Sequence, residues 1–317
     1  MILSKKIDCM PCVRNSFSAA LTRPSTFKGL QLLLHSPRSI SQASPSAAAS
    51  AMAESYVRLA DGTELPFETI ESPLDIIIGH GLGSDPYRKE HKNDISSEIW
   101  HDTHKYISSA NEKSKKQSGT AVLYTARGHG QSRGWEQAEA NDDNVDDLPF
   151  RWPALSEDML EVASGCLDVT SLFTIFGQSM GAASALYLAI NHPDRVNALI
   201  LARPPRAWER RAEIASMFVA EAKALQLKMP GSRSFLPLLG AAHTDLPPRT
   251  DKKLYQRIEC PVLILSHGED AAHPIETGKY LSDLLPQSCL EIAENENEAK
   301  LQWPKVIGNW LANMKLL

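Results

Sequence analysis

The sequence predicts an α/β fold, a mostly parallel sheet with helices on both faces and a small helical lid. Two observations predict it. Apolar runs recur at 75–81 (DIIIGHG), 120–126 (TAVLYTA), 172–178 (LFTIFGQ), 196–202 (VNALILA) and 260–268 (CPVLILSHG), with a weaker one at 289–294. Such runs are continuous rather than alternating, the pattern of strands buried on both faces. Helical patterns separate them, around 92–113, 153–166, 180–191, 275–285 and 304–314. Strand and helix in alternation give a parallel sheet covered on two sides.

Taken in order, residues 1–52 stand apart. They carry Lys5, Lys6, Arg14, Arg23, Lys28 and Arg38 against a single acid, Asp8, and are rich in serine. That composition predicts an organellar transit peptide, mitochondrial or plastid, with a junction near SPSAAASAMAE. The alternative is an upstream extension, translation starting at Met52 in a cytoplasmic protein. A single domain then spans 55–317, with a core of 55–202 and 259–317. YVRLADGTELPFETI (56–70) reads as two strands turning at Asp61-Gly62. The stretch 136–149 is an acidic surface loop. Residues 203–258, rich in Pro, Arg and Ala and helical around 206–226, interrupt the alternation. They read as a lid over the carboxyl ends of the strands, where open α/β sheets bind ligands. The last helical pattern sets Val306, Ile307, Trp310, Leu311 and Met314 on one face.

Composition excludes several classes. A net charge of −5 with 22% charged residues gives no basic footprint for nucleic acid or an anionic membrane. No apolar run approaches the roughly 18 residues of a transmembrane helix. Five cysteines, two of them in the CMPC of 9–12, form no disulfide framework, which fits a reducing compartment. His101 and His104 share a helix turn, but no third ligand accompanies them, so no metal and no cofactor is expected.

The chemistry concentrates at FTIFGQSMGAASALYLA, which runs from a strand straight into a helix. Gly177-Gln178-Ser179-Met180-Gly181 fits the Gly-x-Ser-x-Gly nucleophile elbow. Small residues are needed two before and two after the serine because the strained turn brings strand and helix together. Ser179 Oγ would stand above the sheet, and the Met180 N–H would open the helix as an oxyanion donor.

From these residues the chain resembles the α/β-hydrolase family over about 55–317. IIIGHGLGSD (76–85) is similar to the family's His-Gly oxyanion loop, which implies Leu82 N–H as the second oxyanion donor and His80 as a structural histidine. YTARGHGQSRGW (124–135) is similar to the signature Asp-x-Arg-Gly-x-Gly-x-Ser, with Thr125 in place of the acid. CPVLILSHGEDAAHP resembles the acid-bearing strand and loop, which implies Asp270 as the triad acid. The family's histidine should follow the last strand, some seven residues before a proline opening the final helix. Counting back from Pro304 reaches Asn297, whose amide is not basic.

All ten histidines lie at or before His273. Three readings stay open. Another histidine serves Ser179, with His273 favoured, His243 in the lid weaker, and His267 ending its strand with either face possible. Alternatively the fold has lost hydrolysis and binds a ligand or partner. Or the site runs chemistry that needs no activated serine. The expectation is a serine hydrolase of ester or related acyl bonds, acting on a small molecule with a carbonyl group. Arg203 and Arg206, just past a strand end, stand as contacts for an anionic substrate or as salt-bridge anchors of the lid.

Overall fold

The computed structural model describes residues 55–84, 95–111, 119–137, 148–168 and 170–317. The expected transit peptide, the CMPC cysteines and most of the acidic loop lie outside the described residues.

Eight strands form one sheet: β1 (Ser55–Arg58), β2 (Glu64–Ser72), β3 (Ile76–Gly79), β4 (Gly119–Tyr124), β5 (Phe173–Gln178), β6 (Val196–Ala202), β7 (Val262–His267) and β8 (Ser288–Ala293). Their order is β1-β2-β4-β3-β5-β6-β7-β8. The first two strands join antiparallel, and β3 to β8 run parallel. The Asp61-Gly62 turn links β1 to β2, with Gly62 at a φ of 88° that favours glycine.

The continuous apolar strands feed two cores by simple alternation. Ile77, Val122, Tyr124, Ile175, Leu199, Leu201 and Ile264 point to one face, where α2 (Trp152–Cys166), α3 (Met180–Asn191) and α7 (Ile275–Leu284) pack. Ile76, Ile78, Leu123, Phe176, Ile200, Leu263 and Leu265 point to the other, against α1 (Ile95–Asn111) and α8 (Glu296–Asn313). The period of two, with both faces apolar, is what makes each strand read as an unbroken hydrophobic run.

Between β6 and β7 lie α4 (Arg211–Lys228), α5 (Leu236–Ala242) and α6 (Lys252–Tyr255). Buried Arg211 ties this insertion together: Nε donates to Thr244 O at 2.9 Å, Nη2 to Ala241 O, and the guanidinium stacks 4.4 Å from the Trp152 ring. Leu236 of α5 is buried with Phe150 and Trp135. Arg127 locks the other flank, donating from Nε and Nη2 to the two oxygens of Asp158 at 2.9 and 2.8 Å and pairing with Asp61.

One expectation needs correction. The final helix does not start at Pro304; α8 begins at Glu296, and Pro304 lies inside it. Asn295 caps the helix, its side-chain oxygen accepting from Glu298 N at 3.0 Å, while the Glu298 carboxylate reaches back to Glu294 N. This reciprocal arrangement is a close variant of the capping box. Only Glu294 and Asn295 separate β8 from α8.

Candidate active site

The elbow forms because β5 and α3 meet at a backbone L side chains resist. Ser179 has φ 54° and ψ −111°, an outlier of the kind held at functional sites. The surrounding glycines are steric necessities. A methyl at Gly177 would overlap the Gly181 carbonyl, and one at Gly181 would overlap Gly79 O at the end of β3. Gly181 N donates to His80 O at 3.0 Å, and Ser179 N to Ala202 O at 3.0 Å, so β3, β5 and β6 all hold the turn.

The oxyanion loop is pinned from beneath by His80, which is buried. Its Nδ1 donates to Gly81 O at 2.8 Å, and Nε2 accepts from Ala126 N at 2.8 Å. Gly83, with φ 76°, is the third residue of the Gly81–Ser84 turn, the position a type II turn gives to glycine. Neither Leu82 N–H nor Met180 N–H has an acceptor among the described residues. Met180 is also the first residue of α3, where the helix dipole favours negative charge.

The remaining groups come from the turn between β7 and α7. His273 Nε2 lies 2.8 Å from Ser179 Oγ, and His273 Nδ1 lies 2.9 Å from Asp270 Oδ2. With Nδ1–H donating to the carboxylate, Nε2 is left as the acceptor for the serine hydroxyl. Asp270 Oδ1 accepts the backbone N–H groups of Ala272 and His273 at 3.1 and 3.2 Å, closing the turn that carries both residues. Arg203 Nε donates to Oδ2 at 2.9 Å, and its Nη2 stands 2.6 Å from the same oxygen as an ion-pair contact. His267 Nε2 stands 3.4 Å from the same oxygen, without hydrogen-bond alignment, while its Nδ1 donates to Gly268 O at 2.6 Å.

These contacts set the charges. Burial pushes the Asp270 carboxyl up, but the His273 hydrogen bond and the charges of His273 and Arg203 outweigh it and hold it well below the usual carboxylate range. Burial pushes His273 down; Asp270 opposes this, Arg203 and His267 add to it, and the net shift is downward. Ser179 therefore faces a neutral imidazole at neutral pH.

Of the sequence-derived residues, Ser179, Asp270, His273, Leu82 and Met180 converge here. Asn297 does not behave as a loop residue: it lies in the first turn of α8, exposed to solvent. His243 is exposed at the end of α5. His104 is spent on Glu71 O at 2.7 Å, away from the elbow. Arg206 is an anchor, donating from Nη1 to Glu213 at 2.8 Å and from Nη2 to Ala271 O. Sequence reasoning missed the Arg203 contact with Asp270, which no spacing announces. It also missed the start of α8, for which Asn295 and Glu298, three residues apart, were the available signal.

Comparison with known proteins agrees with this architecture. The family described as alpha/beta hydrolase fold matches residues 76–253. A curated relative, 3-oxoadipate enol-lactonase 2 of Acinetobacter baylyi, is 23% identical over 219 residues, 59% of this chain and 75% of its own length. Among solved structures, an esterase from Exiguobacterium antarcticum superposes with a TM-score of 0.59 at 17% identity, covering 83% of this chain and 99% of that one. The enol-lactonase of Burkholderia xenovorans gives 0.54 at 18% identity, with 83% and 100% covered. At these identities the likeness to solved structures is one of fold.

Proposed function

The chain belongs to the alpha/beta hydrolase fold family, and on that premise we propose that it is a serine hydrolase of small ester or lactone substrates. The observation that carries the reading is the 2.8 Å contact between Ser179 Oγ and His273 Nε2. That separation lies within the range a general base requires. The curated relative and several of the solved structures are named as lactonases and esterases, which supports that substrate class.

In the proposed reaction Ser179 Oγ attacks the substrate carbonyl carbon as His273 Nε2 takes its proton. The carbonyl π electrons move to oxygen, and the N–H groups of Leu82 and Met180 receive that oxyanion. Asp270 stabilises the imidazolium through Nδ1–H. Collapse expels the alkoxide, which takes the proton from Nε2 and leaves an acyl group on Ser179. In a lactone the alkoxide stays tethered to the acyl chain. Water, deprotonated by His273, then attacks the acyl carbon; collapse breaks the bond to Ser179 Oγ, which takes the proton from Nε2, and the acid is released.

A binding-only role drew its support from the empty C-terminal base position. His273 at hydrogen-bond distance from the serine removes that motive. The test is labelling with a fluorophosphonate probe together with turnover of short p-nitrophenyl esters and a simple lactone. Labelling of wild type that disappears in Ser179→Ala and collapses in His273→Ala is expected. Folded wild-type protein that neither labels nor turns over any of these substrates would refute the hydrolase reading.

A further inference from the structure

We propose that Arg203 is a positioning residue for the acid and base, the group that lets Asp270 serve a histidine in its own turn. The inference rests on the hydrolase reading above. It begins with topology. Arg203 is the first residue past β6, and the two strands flanking β6 each end in part of the site: β5 in Ser179, β7 in the turn holding Asp270 and His273. Ala202 O accepts from Ser179 N at 3.0 Å, and Arg203 N donates to Leu265 O at 2.7 Å. The arginine backbone is thus tied to both neighbours before its side chain is considered.

The side chain then reaches Asp270 Oδ2 with two nitrogens. Both oxygens of the carboxylate are fixed as a result: Oδ1 by Ala272 and His273 N–H, Oδ2 by Arg203 and His273 Nδ1. Without the fork, Oδ2 would keep His273 as its one aligned partner, and the carboxylate would be free to pivot about Oδ1. The segment that follows extends the grip, with Arg206 N donating to Ala272 O at 3.0 Å.

Backbone strain points the same way. Arg203 has φ 51°, a conformation suited to glycine, and Pro204 follows it, which restricts it further. An arginine kept where glycine would be easier is an outlier that asks for a side-chain role. The charged and titratable groups facing His273 are Asp270 and His267 from its own turn and strand, and Arg203 from the end of β6. Arg203 is therefore also the nearby fixed positive charge that opposes protonation of the base.

Arg203→Gly tests this cleanly, because it removes the guanidinium while relieving the backbone. The expected result is a fall in kcat of about 10²-fold, the scale of a misplaced catalytic group, with KM little changed. The acidic limb of kcat/KM should move to higher pH, and millimolar methylguanidinium should restore part of kcat. Arg203→Lys should keep the limb near its wild-type position but recover kcat only partly, since an ammonium cannot fork. Unchanged kcat in Arg203→Gly would overturn the proposal. So would a loss of kcat that merely tracks a lower Tm, with no pH shift and no rescue. In both of those cases wild type still turns over ester. A wild-type enzyme inert to ester and fluorophosphonate alike would instead strike the hydrolase reading itself, and this inference with it.

Discussion

Asp270 and His273 sit three residues apart on one turn, joined Oδ2 to Nδ1 at 2.9 Å, with the backbone N–H of His273 donating to the other oxygen of the same carboxylate. The proposed acid and base are a local unit that the fold delivers to Ser179 as one piece. Removing either member should therefore disable the unit. Asp270→Asn is expected to lower kcat by about 10⁴-fold, because Nδ1 loses its charged acceptor and the imidazole its tautomer. The double variant Asp270→Asn/His273→Ala should be scarcely worse than His273→Ala alone, since residues acting together are not additive. Steady-state kinetics on one ester substrate checks both.

Counting back from Pro304, as though it opened the final helix, points to Asn297 for the base, yet that residue is exposed in the first turn of α8. Installing a histidine there should not revive the enzyme. His273→Ala/Asn297→His is expected to stay as inactive as His273→Ala, because the two-residue link between β8 and α8 leaves no loop to carry the ring to Ser179. Recovery of turnover in that variant would show that the position still communicates with the serine.

Acid should weaken the fold in two stages. His273 is held below the ordinary imidazole value of 6.5, and Asp270 far below the ordinary 3.8. Between folded and unfolded values, the unfolded chain holds the proton and the folded chain does not, so lower pH favours unfolding. The His273 contribution is present above 6.5 and is lost as pH falls below it; the Asp270 contribution is lost only below about 3.8. Tm measured from pH 8 downward should decline already below 6.5, and His273→Ala should flatten that first decline.

Arg127 holds buried Asp158 with two hydrogen bonds. Arg127→Met should cost about 3–5 kcal/mol of stability by leaving a buried carboxylate without its counter-ion. Urea denaturation reads it directly. Ser179 labelling of whatever fraction remains folded should persist, since the side chain acts on the scaffold.

The strands and most helices were legible because each apolar run is short, continuous and bounded by helical periodicity. The elbow was legible because any side chain at Gly177 would strike the Gly181 backbone, which dictates a motif within five consecutive residues. The start of α8 was not, because its first turns, ENEAKLQ, place a single buried residue, Ala299, before Trp303. Periodicity cannot register a stretch that polar, and the capping signal at Asn295 and Glu298 was the only mark. Arg203 on Asp270 was illegible for a different reason. The two residues are 67 positions apart, and their contact depends on which strand ends the sheet brings side by side.

The short link from β8 to α8 also divides the chain by kind of constraint. Every group assigned here to the reaction lies at or before His273, while Trp303, Ile307 and Leu311 of α8 fill the core beneath the sheet. A saturation mutagenesis scan of α8, apart from Trp303, whose ring lies 5.9 Å from that of His267, should accordingly report cellular abundance alone. Substitutions there would change how much enzyme survives quality control and leave the specific activity of each surviving molecule as it was.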